Sequence, residues 1–213
     1  MTANAIATER SITIVSGLPR SGTSLMMQML AAGGIPVLAD GLRQADEDNP
    51  RGYYEFERVK QVESDAAWLD EAEGKAVKMV YRLLYDLPLD RPYRVVFMTR
   101  DLGEVIASQQ VMLERHGKAD GGVDDARLAE IYRKQLQGVT AWLREQPAFS
   151  VLAVDYHQVL DDPAGVVEGL NRFLDGRLDM EAMLRVPDRS LYRQRREAAG
   201  TATASAGGND DRG

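Results

Sequence analysis

The sequence predicts a single α/β domain of three layers, in which helices flank a mainly parallel central sheet of about four to five strands. Apolar runs that suit strands alternate with amphipathic stretches that suit helices, the pattern of parallel strands joined by helical crossovers. The run 93–99 is almost continuously apolar, as a strand covered on both faces should be. A chain of 213 residues has room for one substantial core. We expect the domain to cover residues 11–196 and the polar stretch 197–213 to be a disordered tail.

The elements follow from local patterns. Short apolar runs predict strands at 12–16, 76–80, 93–99 and 150–154, and an extended segment at 35–38. Apolar residues at helical spacing predict five helices. They lie after the loop that follows the first strand, over 57–73, directly after Arg100, over a stretch that ends near Pro147, and around 166–174. Asp101 and Glu104 have the spacing of a capping box at the start of the helix after Arg100. The stretch 40–54 is polar and rich in turn formers, and loops of this length are often functional.

A glycine-rich loop lies between the first strand and the first helix. The segment from Gly17 to Ser24 has the glycine spacing of a phosphate-binding loop, which makes the predicted fold P-loop-like. Backbone N–H groups at such a strand-to-helix junction attract anions. Thr23 stands where a nucleoside triphosphatase has lysine, while Arg20 offers a planar group that suits phosphate or sulfate. The loop therefore predicts an anion site that is not an ordinary triphosphate site.

The same loop resembles that of sulfotransferases that use 3′-phosphoadenosine 5′-phosphosulfate (PAPS). Their 5′-phosphosulfate loop reads P-[RK]-[SG]-G-[TS]-[TS], and the chain matches it without a gap. The resemblance implies that this donor is the co-substrate and that the loop binds its 5′ end through Pro19, Arg20, Ser21, Gly22, Thr23 and Ser24. The adenine-contacting R-K-G-x-x-G segment of the cytosolic branch has no counterpart here.

A second motif of this family binds the 3′-phosphate with an arginine at a strand end and a serine eight positions later. Arg100 and Ser108 have that spacing. Each alone has an ordinary structural explanation, an ion pair for the arginine and a helical hydroxyl for the serine. The two motifs together, in the right order, are far more specific. Late basic residues often close over the nucleotide in PAPS enzymes, so Arg193 is a further candidate, although it fits a solvated basic segment as well.

Three residues are candidates for the transfer chemistry. Sulfuryl transfer needs cations near the transferred group and a base for the acceptor's proton, and Arg20 in the loop is one such cation. Lys78 lies in an otherwise apolar strand, where family members often have a lysine close to the transferred group; a structural ion pair is an equal alternative. Glu55 ends a segment similar to N-x-x-G-[FY]-[YF]-E of some bacterial sulfotransferases and is the candidate base, with a helix-start charge as the alternative. Asp40, Asp46 and Asp48 are fallback bases.

Composition limits the remaining function classes. The net charge is −7 and the sequence contains no long basic block, so we expect neither nucleic acid nor membrane as a partner. With no cysteine and two histidines, His116 and His157, we expect no metal. No apolar run approaches a transmembrane length, and we expect a cytoplasmic protein acting on a small-molecule or other acceptor. Two other classes stay open: a P-loop kinase in which Arg20 or Lys78 replaces the missing lysine, and a non-catalytic nucleotide-binding module. The sequence leaves the oligomeric state open.

Overall fold

A computed structural model describes residues 11–46, 49, 51–115, 117 and 124–188. Its five strands form one parallel sheet in the order β2-β3-β1-β4-β5. The strands are β1 (Ile12–Gly17), β2 (Val37–Leu38), β3 (Ala76–Lys78), β4 (Tyr93–Thr99) and β5 (Phe149–Asp155). The predicted α/β fold class, with a mainly parallel central sheet of about four to five strands flanked by helices, is therefore confirmed.

Helices cover both faces of this sheet. The α-helices are α1 (Thr23–Ala32), α2 (Trp68–Glu71), α3 (Leu102–Arg115), α4 (Asp125–Glu145), α5 (Tyr156–Asp161), α6 (Pro163–Phe173) and α7 (Met180–Leu184). Two 3₁₀ helices, Glu57–Gln61 and Tyr81–Asp86, complete the described elements. The 3₁₀ turn at Tyr81–Asp86 has no counterpart among the predicted elements.

Two apolar clusters, one on each face, produce the three layers. Alternate residues of a strand point to opposite faces, so Ile12 and Ile14 join the cluster beneath α3 and α4, while Val15 joins the methionines of α1 and the apolar side of α6. All three of these side chains are fully buried. β1 is thus buried on both faces, as its apolar run predicts, and its carboxyl end is held rigidly in the middle of the sheet.

The prediction of one continuous helix over 57–73 is wrong. The segment forms the 3₁₀ helix Glu57–Gln61 and, further on, the short helix α2. Between them, Asp65 Oδ1 accepts a hydrogen bond from the backbone N–H of Ala67 at 3.1 Å, and Ser64 Oγ donates to the carbonyl of Gln61 at 3.1 Å. Such local side-chain bonds compete with helical backbone bonds. Val59 is nevertheless buried, as its place on the expected inward face requires.

The order of the strands puts a crevice at the carboxyl edge of the sheet. β1 lies between β3 and β4, and the chain leaves β1 toward β2 on one side but leaves β4 toward β5 on the other. Parallel α/β sheets bind ligands where the chain direction diverges in this way. The loop after β1 and Arg100, which follows β4, therefore face the same crevice.

Candidate active site

The loop between β1 and α1 is bent by glycines that accept no side chain. Gly22 has φ of 96°, and a Cβ there would lie 2.5 Å from Cδ2 of Tyr156. A Cβ on Gly17 would lie 2.5 Å from the carbonyl oxygen of Met98. Gly22 is also the N-cap of α1, where no side chain caps the helix. The first turn of α1 therefore directs backbone N–H groups toward the crevice, as anion binding at a helix start requires.

Ser21 has a structural role within this loop. Its hydroxyl donates to the carbonyl of Leu18 at 2.7 Å, its backbone N–H donates to the same carbonyl at 3.2 Å, and its side chain is almost fully buried. Ser21 is the one residue from Pro19 to Ser24 that does not line the cavity described below. Its side chain stabilises the turn and is turned away from the crevice.

Arg20 joins the loop to helix α3. Its backbone has the unusual positive φ of 71°, and its Nε donates to Oγ of Ser108 at 2.9 Å. Ser108 itself is almost fully buried. The structure thus brings together the arginine of the first motif and the serine of the second, which are 88 positions apart in the sequence.

Arg100 is held from three sides at the end of β4. Its Nε donates to Oε2 of Glu104 at 2.9 Å, and its NH1 donates to the carbonyl of Arg20 at 3.2 Å. Its guanidinium carbon lies 4.4 Å from the centre of the Tyr156 ring, a cation–π contact. Glu104 donates its own backbone N–H to Asp101 Oδ1 at 3.2 Å, as the capping-box spacing predicts. The plane of the Arg100 guanidinium is therefore fixed next to the loop.

Lys78 closes the opposite side of the crevice, at the end of β3. Its Nζ donates to the carbonyl of Tyr53 and, at 3.4 Å, to Oγ of Ser24, and it lies 3.5 Å from Oε1 of Glu55. Burial lowers the pKa of Lys78 to about 8, although the Glu55 carboxylate acts in the opposite direction. The structure thus contains the ion pair expected of a buried lysine, and it also places the Lys78 ammonium against the first turn of α1.

Glu55 lies between two cations. Besides Lys78, it accepts a hydrogen bond from Arg43 NH1 at 3.0 Å. The Arg43 guanidinium carbon in turn lies 3.4 Å from the centre of the Tyr53 ring. The pKa of Tyr53 is raised to about 12, mainly because the side chain is buried and secondly because its hydroxyl donates a hydrogen bond to Asp46. Tyr53 is therefore a neutral group that positions Arg43 at the crevice.

One cavity of about 480 Å³ connects these groups. It contacts the loop, Arg100, Ser108, Lys78 and Glu55. All but Glu55 lie at or just beyond the carboxyl end of a strand, or on the first turns of the helix that follows, while Glu55 lies in the loop between β2 and the 3₁₀ helix Glu57–Gln61. The two predicted motifs and both candidate catalytic residues outside the loop therefore line one binding space.

The fallback bases are less well placed. Asp40 accepts hydrogen bonds from the backbone N–H groups of Glu57 and Leu42, which lower its pKa, and Asp46 accepts the Tyr53 hydroxyl. Both carboxylates thus stabilise the loop around Glu55. Asp48, His116, Arg193 and the tail 197–213 lie outside the described residues.

Several residues at the site were not predicted from sequence. Tyr53 lies within the segment 49–55 that resembles a family motif, and Arg43 lies a few residues before it. The similarity to the motif could therefore have pointed to both residues. Tyr156 and His157 are the first two residues of α5, directly after β5. The carboxyl ends of parallel strands meet at one edge of the sheet, and only this rule could have pointed to these two residues. Arg51 also lines the cavity; its guanidinium donates to the carbonyl of Val186 at 2.6 Å.

Two features are absent from the described part of the chain. No described helix combines the length and apolar character needed to cross a membrane. Within the same residues, no three acidic or histidine side chains cluster closely enough to hold a metal ion.

Comparison with known proteins identifies the family. Residues 10–203 match the family described as the sulfotransferase domain. The match spans most of the chain, and the protein belongs to this family. The resemblance inferred from the two motifs is therefore confirmed.

The other comparisons add less. Thirteen chains of solved structure match. Among them is the "Sulfotransferase Domain from the Curacin Biosynthetic Pathway", with 18% sequence identity and a TM-score of 0.48 over 84% of this chain and 79% of that chain. No curated protein matches significantly.

Proposed function

We propose that the protein transfers a sulfuryl group from PAPS to a hydroxyl or amine of a small acceptor. Membership of the sulfotransferase family supports the reaction class. The observation that carries the choice of donor is that the loop and the Arg100 and Ser108 pair border one cavity. A donor with a 5′-phosphosulfate and a separate 3′-phosphate has two anionic ends that such an arrangement can bind.

The loop provides the site for the 5′ end. The uncapped first turn of α1 offers backbone N–H groups, and the helix dipole favours negative charge at the same place. Pro19, Gly22, Thr23 and Ser24 border the cavity here. The backbone N–H groups of the last three and the two hydroxyls are donors that suit an anion.

The 3′-phosphate would bind between Arg100 and Ser108. Arg20 is bonded to Ser108 through Nε and to Arg100 through its carbonyl oxygen, so the loop holds Arg100 and Ser108 as one compact group of donors. Arginine presents several N–H groups in a fixed plane, which suits the oxygens of a phosphate. This group would favour a nucleotide that carries a 3′-phosphate.

In the transfer step, the acceptor oxygen or nitrogen attacks sulfur, and the bond from sulfur to the bridging phosphate oxygen breaks. The bonding electrons stay on that oxygen, so adenosine 3′,5′-bisphosphate leaves with the added negative charge. Lys78 and Arg20 are the cations that would stabilise this charge. Lys78 is suited to the role because its Nζ lies 3.4 Å from Oγ of Ser24, on the first turn of α1.

The acceptor's proton would pass to the carboxylate of Glu55. Glu55 lines the cavity and lies 3.5 Å from Lys78, so the base would stand next to the group that balances the leaving charge. Its ion pair with Arg43 fixes the carboxylate in place. A positioned carboxylate that accepts the proton as the new bond forms is the usual form of general-base catalysis.

Two measurements test the proposal. Adenosine 3′,5′-bisphosphate should raise the melting temperature in buffer with a metal chelator, because a ligand that binds only the folded state stabilises it. A larger rise with ATP and Mg²⁺ would instead identify a P-loop kinase. Incubation with PAPS and a panel of alcohols, phenols, sugars and amines, followed by mass spectrometry, should then reveal a sulfated product. Tight bisphosphate binding without any product over a broad panel would favour a non-catalytic nucleotide-binding module.

A further inference from the structure

A buried carboxylate lies next to the proposed 3′-phosphate site and takes no part in the proposed chemistry. Glu104, in the first turn of α3, has a side chain only 3% exposed, and its Oε2 lies 2.9 Å from Nε of Arg100, which is 8% exposed. Removing a charge from water is costly unless the charge is paired and hydrogen-bonded. The buried carboxylate of Glu104 therefore needs hydrogen-bond partners, and these partners fix its orientation.

His157 provides a second partner from another part of the fold. Its Nε2 lies 3.1 Å from both carboxylate oxygens of Glu104. The backbone N–H of His157 donates to Oδ1 of Asp155 at 2.9 Å, and its Nδ1 lies 3.6 Å from the same oxygen. With a proton on Nε2, the imidazole donates to Glu104. The β5–α5 junction is thus joined through one carboxylate to the end of β4.

We propose that Glu104 and His157 are positioning residues that hold the Arg100 guanidinium in the orientation that selects a 3′-phosphate. The proposal rests on the proposed function, since it takes Arg100 as the 3′-phosphate ligand. Glu104 fixes Nε, the Arg20 carbonyl fixes NH1, and the Tyr156 ring covers one face of the plane. His157 keeps Glu104 in place. A planar donor group selects an anion by the direction of its N–H groups, so its orientation is part of its specificity.

The alternative is that Glu104 only competes with the ligand. A carboxylate beside Arg100 partly neutralises the positive charge that an incoming phosphate meets. If this effect dominated, removing the charge of Glu104 would strengthen the binding of a 3′-phosphate. If positioning dominates, the same change weakens the preference, because the released guanidinium samples several orientations. The two roles therefore predict changes of opposite sign.

The test measures the dissociation constants of adenosine 3′,5′-bisphosphate and of AMP by calorimetry in metal-free buffer. The ratio of the two constants is the preference for the 3′-phosphate. We expect Glu104→Gln and His157→Phe each to lower this preference about tenfold, the size of one lost charge-assisted contact. His157→Gln retains an N–H donor and should stay within about threefold of the parent. Glu168→Gln, which alters an exposed ion pair with Arg172 on α6, is the matched control and should change nothing.

Each outcome decides one of the two proposals. A parent protein without a preference for the bisphosphate would overturn the assigned donor and, with it, the positioning role. A parent with that preference, together with an unchanged or increased preference in Glu104→Gln and His157→Phe, would overturn the positioning role alone. If Glu104→Gln fails to fold, as the loss of a buried charge allows, His157→Phe still decides, because the His157 side chain is one-third exposed and tolerates exchange.

Discussion

The lowered pKa of Lys78 predicts how activity depends on pH. A lysine with a pKa of about 8 is about nine-tenths charged at pH 7 and about one-tenth charged at pH 9, whereas with the ordinary value of 10.5 it would stay almost fully charged at both. If charged Lys78 stabilises the leaving group, kcat/KM should fall about tenfold between pH 7 and pH 9. The ratio kcat/KM reports the ionisation of the free enzyme, so the pKa of Lys78 in the ligand-free site governs its pH dependence. A bound anionic donor raises the pKa of Lys78, so kcat should fall at a higher pH than kcat/KM does.

The assay is the initial rate of product formation from pH 6 to pH 10, with a hydroxyl acceptor that does not ionise in this range. Lys78→Arg is the matched variant, because its guanidinium stays charged throughout. It should be slower than the parent but should show no fall between pH 7 and pH 9. A parent whose kcat/KM is constant over this interval, or an equal fall in Lys78→Arg, would refute the reasoning.

The same shift has a consequence for stability. The pKa of Lys78 is lower in the folded than in the unfolded chain, so between about pH 8 and 10.5 the unfolded chain binds more protons. The contribution of Lys78 to the free energy of unfolding must therefore rise with pH across this window. Urea unfolding of the parent and of Lys78→Met at several pH values should give a difference that grows in the parent's favour from pH 8 to pH 10.5. A difference independent of pH would mean that burial does not perturb Lys78.

Three further substitutions test the site. Glu55→Gln should keep bisphosphate binding but slow transfer about 10² to 10⁴-fold; normal turnover with a lowered melting temperature would assign Glu55 a purely structural role. Arg100→Ala should lose about 1.5 to 3 kcal/mol of preference for adenosine 3′,5′-bisphosphate over AMP by calorimetry, and retained discrimination would remove Arg100 from the site. Gly22→Ala should cost about 1 to 3 kcal/mol in urea unfolding, because its Cβ meets Tyr156. Gly52→Ala, with φ of 90° and no such neighbour, isolates backbone strain and should cost less.

Patterns that depend on neighbouring residues in the chain were enough to predict most of the fold. Four of the five strands follow from short apolar runs, and β2 lies in a segment predicted to be extended. The glycine-rich loop after β1 follows from its glycines, whose positive φ and close contacts exclude larger residues. The spacing of Arg100 and Ser108 works in the same way, because Arg100 lies two residues before α3 and the helix fixes how far Ser108 lies from its start. The one long helix expected at 57–73 failed because the competing bonds of Ser64 and Asp65 are not visible in hydrophobic periodicity.

Only the tertiary structure decided which charged and polar side chains contact one another. The contact between Arg20 and Ser108 joins residues 88 positions apart, and the contact between His157 and Glu104 joins residues 53 apart. No local pattern encodes such pairs, because they depend on which strands become neighbours in the sheet. The sequence by itself determined that the first strand ends at a loop with the glycine spacing of a phosphate-binding loop. The order β2-β3-β1-β4-β5 determined that Lys78 lies on one side of that loop and Arg100 on the other, since Lys78 ends β3, Arg100 follows β4, and both strands are direct neighbours of β1.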